Sequence, residues 1–268
     1  MSTSATVVSQ VAPVRPPSRV RAYINEARSD LLKMLRLPMY SVASIAFPVM
    51  FYVLFGVVFG KQGGDGPQVA RYLLASYGAF GVIGASLFGF GVGVAVERGQ
   101  GWLQVKRASP MPPAAYFIAK LFTCMVFSVV IVLLLVTIGI TAGGVHLSFM
   151  QGALLVTVLV LGSVPFCALG LAIAYFAGPN SAPAIVNLIY LPISFCSGLW
   201  LPINMLPKFL QHIAPALPPY HLGQLALMVL GFGHGTVAGH VMGLMGSAAI
   251  GLGLAWVGYQ RDEHKTYG

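Results

Sequence analysis

Six long stretches of the chain carry almost no charged residue, and shorter, more polar segments separate them. They fall at about 39–59, 72–96, 116–140, 151–176, 182–200 and 237–259. As helices, at 1.5 Å per residue, each covers roughly 28 Å or more, which matches the hydrocarbon core of a bilayer. Pro112-Pro113 precede the third stretch and Pro183 stands near the start of the fifth, positions that suit a helix start. The pattern predicts an all-α, polytopic membrane protein with six transmembrane helices.

Two segments follow a different rule. Over Ser18–Leu37 the apolar residues Val20, Tyr23, Ile24, Ala27, Leu31, Met34 and Leu35 recur at helical spacing, with Arg19, Arg21, Glu26, Arg28, Lys33 and Arg36 mostly elsewhere on the wheel. This predicts an N-terminal amphipathic interfacial helix, capped by Ser18, that lies on the cytoplasmic membrane surface or packs on a partner protein. The second segment, 201–235, has five prolines yet is too apolar for a solvated loop. Leu206, Phe209, Leu210, Ile213 and Leu217 share one face, and a second helix is expected at about 221–231. We read an outer re-entrant helical hairpin between spans five and six, a fold that survives at membrane depth only where protein or a water-filled cavity covers it.

Composition reinforces the membrane reading: 57% of residues are hydrophobic and 8% charged, against about 25% charged in soluble proteins. The net charge of +9 suggests nucleic acid only until the basic residues are located, since six of fifteen precede Pro38. No basic, aromatic-laced domain exists to hold a strand, so no nucleic-acid partner is expected. With both termini on one side, that side collects twelve Lys and Arg and the other only Lys61, Arg71 and Lys208. The asymmetry predicts a multi-pass protein of the cell membrane (inner or plasma membrane) with both termini cytoplasmic. One membrane domain over 18–260 is expected, with a disordered tail at 1–17, no cleavable leader, and a short tail at 261–268.

Between Leu121 and Pro207 there is no Asp, Glu, Lys or Arg, and spans one, two and six carry none inside. Ion-coupled transporters keep such groups within the membrane despite a cost of about 2.5–3.5 kcal/mol each. No proton or sodium relay can be drawn here, so uphill transport would need energy from outside the membrane domain. The chain offers no nucleotide site: in "FGVVFGKQGGDG" (55–66) three residues separate Gly56 from Gly60 where a phosphate-binding loop needs four, and Gln62 replaces the magnesium-holding hydroxyl. That stretch reads as a turn closing span one. The six histidines form no metal-ligand spacing, Cys124, Cys167 and Cys196 read as small buried hydrophobes, and no hydrolase motif occurs, so neither enzyme activity nor a bound metal is expected.

Small residues recur every fourth position at Gly81, Ala85, Gly89 and Gly93, and at Gly239, Gly243, Ser247, Gly251 and Ala255. Such stripes let helix backbones approach, within one subunit or between two. Span five places Asn187, Ser194 and Ser197 around Pro192. These polar groups either line a solute path or repair the hydrogen bonds that the proline frees. Tyr77, Phe80, Phe88, Tyr190, Phe195 and Trp200 complete the candidate solute path along spans two and five.

A basic island interrupts the apolar pattern after span two: "ERGQGWLQVKRASPMPPAAYFIAK", residues 97–120. With "LPISFCSGLWLPINMLPKFLQHIAPALPPYHLGQLAL" (191–227), it resembles the membrane subunits of type-2 ABC exporters, permeases that move drugs, polysaccharides, lipids or ions. Glu97, Gly101, Ser109-Pro110, Lys120 and the Leu217-Pro218-Pro219 end carry the resemblance, which spans roughly residues 20–260; Trp102 departs from the small polar residue common there. The resemblance implies that the island is a coupling helix seated on a separate ATPase subunit. Glu97, Arg98, Gly101, Trp102, Leu103, Lys106, Arg107 and Pro110 are the implied coupling residues, with Trp102, Leu103 and Val105 as apolar anchor, Lys106 and Arg107 steering onto an acidic rim, and Glu97 pairing with a basic group of the N-terminal helix or of the ATPase. A plain positive-inside loop is the alternative. The partners implied are two ABC ATPase copies, which bind ATP and magnesium, a second permease copy and the bilayer; no cofactor is bound by this chain. The function implied is ATP-driven export of an amphipathic drug or lipid-like solute. The alternatives are a polysaccharide or ion exporter of the same family, or a non-transporting membrane assembly subunit.

Overall fold

The computed structural model describes residues 19–63, 66–108 and 111–263. The expected 1–17 tail, the Ser18 cap and residues 264–268 lie outside the described residues. Among the described residues every regular element is helical. Helix α1 (Arg19–Leu35) is followed by α2 (Pro38–Phe51), which runs on as a π-helical stretch over Tyr52–Phe59 and a 3-10 turn over Gly60–Gly63. Helix α3 (Gly66–Ser86), a π-helical stretch (Leu87–Val92) and α4 (Gly93–Gly99) make one 34-residue rod. A short α5 (Trp102–Ala108) leads to α6 (Pro113–Thr141). Then come α7 (Phe149–Gly162), α8 (Val164–Phe176) and α9 (Ala182–Cys196). Two short helices, α10 (Lys208–Ile213) and α11 (Pro218–Val229), precede α12 (Val237–Glu263).

Among the described residues four helical stretches are long and apolar enough to cross a bilayer: Gly66–Gly99, Ala114–Thr141, Phe149–Phe176 and Val237–Arg261. Two apolar helices, Ser44–Phe59 and Ala182–Cys196, are shorter. The chain is therefore an all-α, multi-pass membrane protein. Span five stops at Cys196, four residues before the expected end, for a local reason. Gly198 takes φ 76°, and the Leu199 N–H donates to the Ser194 carbonyl at 3.2 Å, which closes the helix in a Schellman arrangement. The fourth apolar stretch is interrupted where Pro165 supplies no N–H to the Leu161 carbonyl, and the Ser163 N–H turns toward that carbonyl while Ser163 Oγ donates to the Val160 carbonyl at 2.7 Å. Its start is a capping box: the Gln151 N–H donates to Ser148 Oγ and the Ser148 N–H to the Gln151 side chain. Helix α11 begins at Pro218, three residues before the expected start, because prolines suit its first turn.

The α3 rod is the axis of the fold. Leu74, Tyr77, Phe80 and Ile83 are all but fully buried, and α2, α6, α7, α8 and α11 pack around α3. Helix α12 lies along α8, and α1 along α6. Both small-residue stripes serve packing inside the chain. A Cβ on Gly81 would meet Pro48 and Ile131, and one on Gly251 would stand 2.8 Å from the α8 backbone at Ala168 and Leu169. Without a hydrophobic driving force between helices in lipid, such close backbone approach is what holds α12 to α8.

Candidate functional site

The island folds as an elbow. Gly101 adopts φ 76°, a conformation that disfavours any residue with a Cβ, and open space surrounds it. It accepts the end of α4, its N–H donating to the Arg98 carbonyl at 3.0 Å, while its own carbonyl starts α5 by accepting from Gln104. The 177–181 turn packs into this elbow so closely that a Cβ on Gly99 would stand 2.6 Å from Pro179. Arg98 donates to the carbonyls of Tyr175 and Ala177 at 2.9 and 2.8 Å. It thereby caps the end of α8, where unpaired carbonyls and the helix dipole favour a cation.

Glu97 points inward and is only 3% exposed. Its Oε1 accepts from Lys33 of α1 at 2.5 Å and from Lys120 of α6 at 3.1 Å, and its Oε2 accepts from the Tyr116 hydroxyl at 2.5 Å. Lys120, 1% exposed, also donates to Asp30 of α1 at 3.1 Å. Lys106 of α5 pairs with Glu26 of α1 and stands 4.5 Å from the centre of the Tyr116 ring. Glu26 and Lys106, Asp30 and Lys120, and Glu97 and Lys33 balance in charge, as buried ions must. The result joins α1, α4, α5 and α6 through ionic contacts at one end of the bundle.

Sequence reading missed Glu26, Asp30 and Tyr116. A signal was present: Glu26, Asp30 and Lys33 are spaced i, i+4 and i+7, a charged stripe on one face of an otherwise basic and apolar helix. Meanwhile Val20, Ile24 and Leu35 of α1 remain exposed. The helix thus turns its charged stripe inward, with Asp30 buried and Lys33 half-exposed, and leaves part of its apolar face open.

Of the remaining elbow residues, Trp102 is 53% and Val105 62% exposed, whereas Leu103 turns inward to line a cavity. Arg107 belongs to α5, but its side chain and the whole of Pro110 lie outside the described residues.

The expected solute-path aromatics do meet, as one packed cluster. Phe80 and Tyr190 stack with centres 4.8 Å apart, and the Tyr190 hydroxyl donates to the Phe80 carbonyl at 2.6 Å. Trp200 meets Phe80 edge-on and also contacts Phe195, and its carbonyl accepts from the Tyr77 hydroxyl at 3.3 Å. Phe88 joins through Tyr190, and Phe51 of α2 enters against Trp200. Buried beside this cluster, Ser194 Oγ, Ser197 Oγ and Trp200 Nε1 have no partner. Asn187 stands apart: it is exposed, and its amide donates locally to the Pro183 carbonyl at 3.1 Å. Among the described residues no group of three or more His, Cys, Asp or Glu is placed to hold a metal ion.

Among the described residues the buried charges Asp30, Glu97 and Lys120 gather at one end of a bundle of apolar helices, beside the short α5. The chain belongs to the ABC-2 type transporter family, whose model matches residues 26–230, a range that includes α1's charged stripe, the elbow and helices α10 and α11. It is 27% identical over 195 residues to YvfS of Bacillus subtilis (strain 168), a protein whose name classes it among transport permeases; the match covers 73% of this chain and 80% of that protein. The protein is thus a membrane-embedded permease subunit of an ABC transporter.

Proposed function

We propose that this permease works as an exporter driven by a separate ATPase, with two copies of the chain above two ATPase chains. The observation that carries the reading is α5. It presents Trp102 and Val105 outward while Lys106 ties it to α1, and Glu97, at the end of α4, ties α1 to α6. A push on an exposed α5 therefore moves α1, α4 and α6 together, which is what power borrowed from outside the membrane requires. A docked Trp is a frequent binding hot spot. Six crossings, with both termini and the elbow in the cytoplasm, suit the twelve-to-three distribution of Lys and Arg. In this reading the two shorter apolar helices cross as well, α1 lies in the cytoplasmic interface, and α10 and α11 form an outer re-entrant lid.

The solute reading is an amphipathic drug or lipid-like molecule. The aromatic cluster and the unpaired hydroxyl and indole groups of Ser194, Ser197 and Trp200 support it. They offer π-faces and a few polar handles, and no charge. The path opens when the two half-permeases rock apart, a shift biased by the different contacts that the ATP-bound and free ATPase make with α5. Co-purification with the ATPase tests the reading. Trp102→Ala is expected to weaken association about tenfold or more and to abolish solute-stimulated ATP hydrolysis. Unchanged association and unchanged stimulation would remove α5 as the docking element.

A further inference from the structure

Behind α5 lies a cavity of about 640 Å³, separate from the aromatic cluster and of a size ordinary for a small-molecule site. It is bordered by α5, the start of α6 and the C-terminal halves of α8 and α12. Lys106 and Tyr116 belong both to its lining and to the ionic network, so cavity and network share one end of the bundle. Leu171, Leu252 and Ala255 form an apolar floor, supplied by two stretches long enough to cross a bilayer.

We propose that this cavity is a binding site for an uncharged aromatic amphiphile that enters from the bilayer. Rings dominate its walls: Tyr116, Phe117, Tyr175, Trp256 and Tyr259 all line it. Tyr116 and Phe117 meet edge-on at 5.1 Å, Tyr259 meets Tyr175 edge-on at 5.9 Å, and Trp256 stacks on Tyr259 at 6.0 Å. Such a set of rings accepts one more ring in the same geometries and gives a flexible acyl chain no comparable gain. Lys106 is the single charged side chain among the described lining residues, and Glu26 pairs with it. A charged ligand would shed its water here without gaining an unpaired counter-ion.

The bilayer is the source because of the depth of the site. Trp256 and Tyr259 stand near the end of the Val237–Arg261 stretch. Trp and Tyr gather where lipid headgroups meet hydrocarbon, because each joins an apolar ring to a polar edge. Aromatic amphiphiles concentrate at the same level for the same reason. Trp256 is 62% exposed and also lines the cavity, so the site opens sideways onto that level. Leu103 of α5 forms another wall, so a bound molecule touches the inner side of the helix proposed above to receive the ATPase.

The probe N-phenyl-1-naphthylamine, whose fluorescence rises in apolar surroundings, tests the proposal. It is titrated into phosphatidylcholine vesicles that hold the full chain without its ATPase, and into vesicles without protein. The outcome is thus independent of whether α5 docks an ATPase. The protein should add a saturable component to the signal. Ala255→Met fills the floor and should weaken that binding about tenfold or more, the worth of a methylene in a hydrophobic pocket. Leu252→Phe fills the floor from a position 56% exposed, where folding tolerates it, and should weaken binding as well. The anion 8-anilinonaphthalene-1-sulfonate carries the same rings and should bind about tenfold or more weakly, since its charge is desolvated without a free partner. A signal that only follows partition into protein-free vesicles would overturn the proposal. So would sulfonate binding equal to or tighter than that of the uncharged probe, or wild-type affinity in both filling variants with unchanged melting. Loss of the saturable component when the ATPase is added would make the partner the occupant, which also overturns it.

Discussion

Replacing Lys120 by Met keeps the length of the side chain and removes its charge. In the native fold the ammonium serves two carboxylates, each at 3.1 Å, from a position 1% exposed. Glu97 keeps Lys33 and the Tyr116 hydroxyl after the change. Asp30 keeps nothing, since its Oδ2 already has no partner and its Oδ1 loses Lys120. Breaking a buried pair in this way costs about 3–5 kcal/mol, because it strands a charge. Glu97→Gln is milder. Lys120 retains Asp30, and the Lys33 side chain, 45% exposed, is rehydrated, so the cost is about 1–3 kcal/mol. Lys33→Ala removes a half-exposed partner and costs about 1 kcal/mol or less. Thermal unfolding in detergent, followed by size-exclusion fluorescence, should rank the three in that order. Asp30→Leu combined with Lys120→Met should recover most of the loss, because the stranded charge is gone. A Lys120→Met protein that melts with the wild type, or a double variant no better than the single one, would refute the buried network.

The remaining predictions concern α12. Gly251→Leu puts a side chain 2.8 Å from the α8 backbone and should cost about 1–3 kcal/mol or more in the same melting assay, whereas Gly253→Ala, with nothing within 4 Å, should be neutral or slightly stabilising. His221 of α11 faces His240 of α12, Nδ1 to Nδ1 at 3.0 Å, and His240 Nε2 donates to the His234 carbonyl at 2.8 Å. Burial, and then the neighbouring His240, hold the His221 pKa below its ordinary 6.5, with the Pro215 carbonyl opposing in part. The neutral form is therefore favoured by folding. This contribution is present above about pH 6.5 and is lost as pH falls through the lowered value, because the unfolded chain then binds the extra proton. The melting temperature should drop on acidification below about pH 6.5, and His221→Asn should flatten that drop; an unaltered pH profile in the variant would contradict the lowered His221 pKa as its cause.

Hydrophobic patterning carried much of the fold, because the thickness of a bilayer forces long apolar runs. The bounds of span one, the ends of spans two and three and the start of α12 lie close to where the runs place them, whereas span five is shortened, and span one is rewound within its length, by backbone events that hydropathy does not see. The π-helical stretch at Tyr52–Phe59 and the left-handed Gly198 are such events. The outward position of Trp102 and Val105 was legible, since they break an otherwise basic loop, but that of Leu103, which turns inward, was not. The buried part was less legible. Absence of charge within the spans was plain, and a basic partner for Glu97 from the N-terminal helix was legible, which Lys33 supplies; only folding brings Asp30 onto Lys120, 90 residues away. Arg98 shows the same limit: its charge reads as a loop cation, and its work is to cap a helix end 77 residues on.

The central claim is that energy enters through α5 and not through the bundle itself. Accumulation of a fluorescent amphiphile in inside-out vesicles, which hold this chain with or without its ATPase, measures that directly. Uphill accumulation is expected only with the ATPase present and ATP hydrolysed, and a proton or sodium gradient alone should drive none. Accumulation against a gradient in vesicles that lack nucleotide or the ATPase would contradict the account.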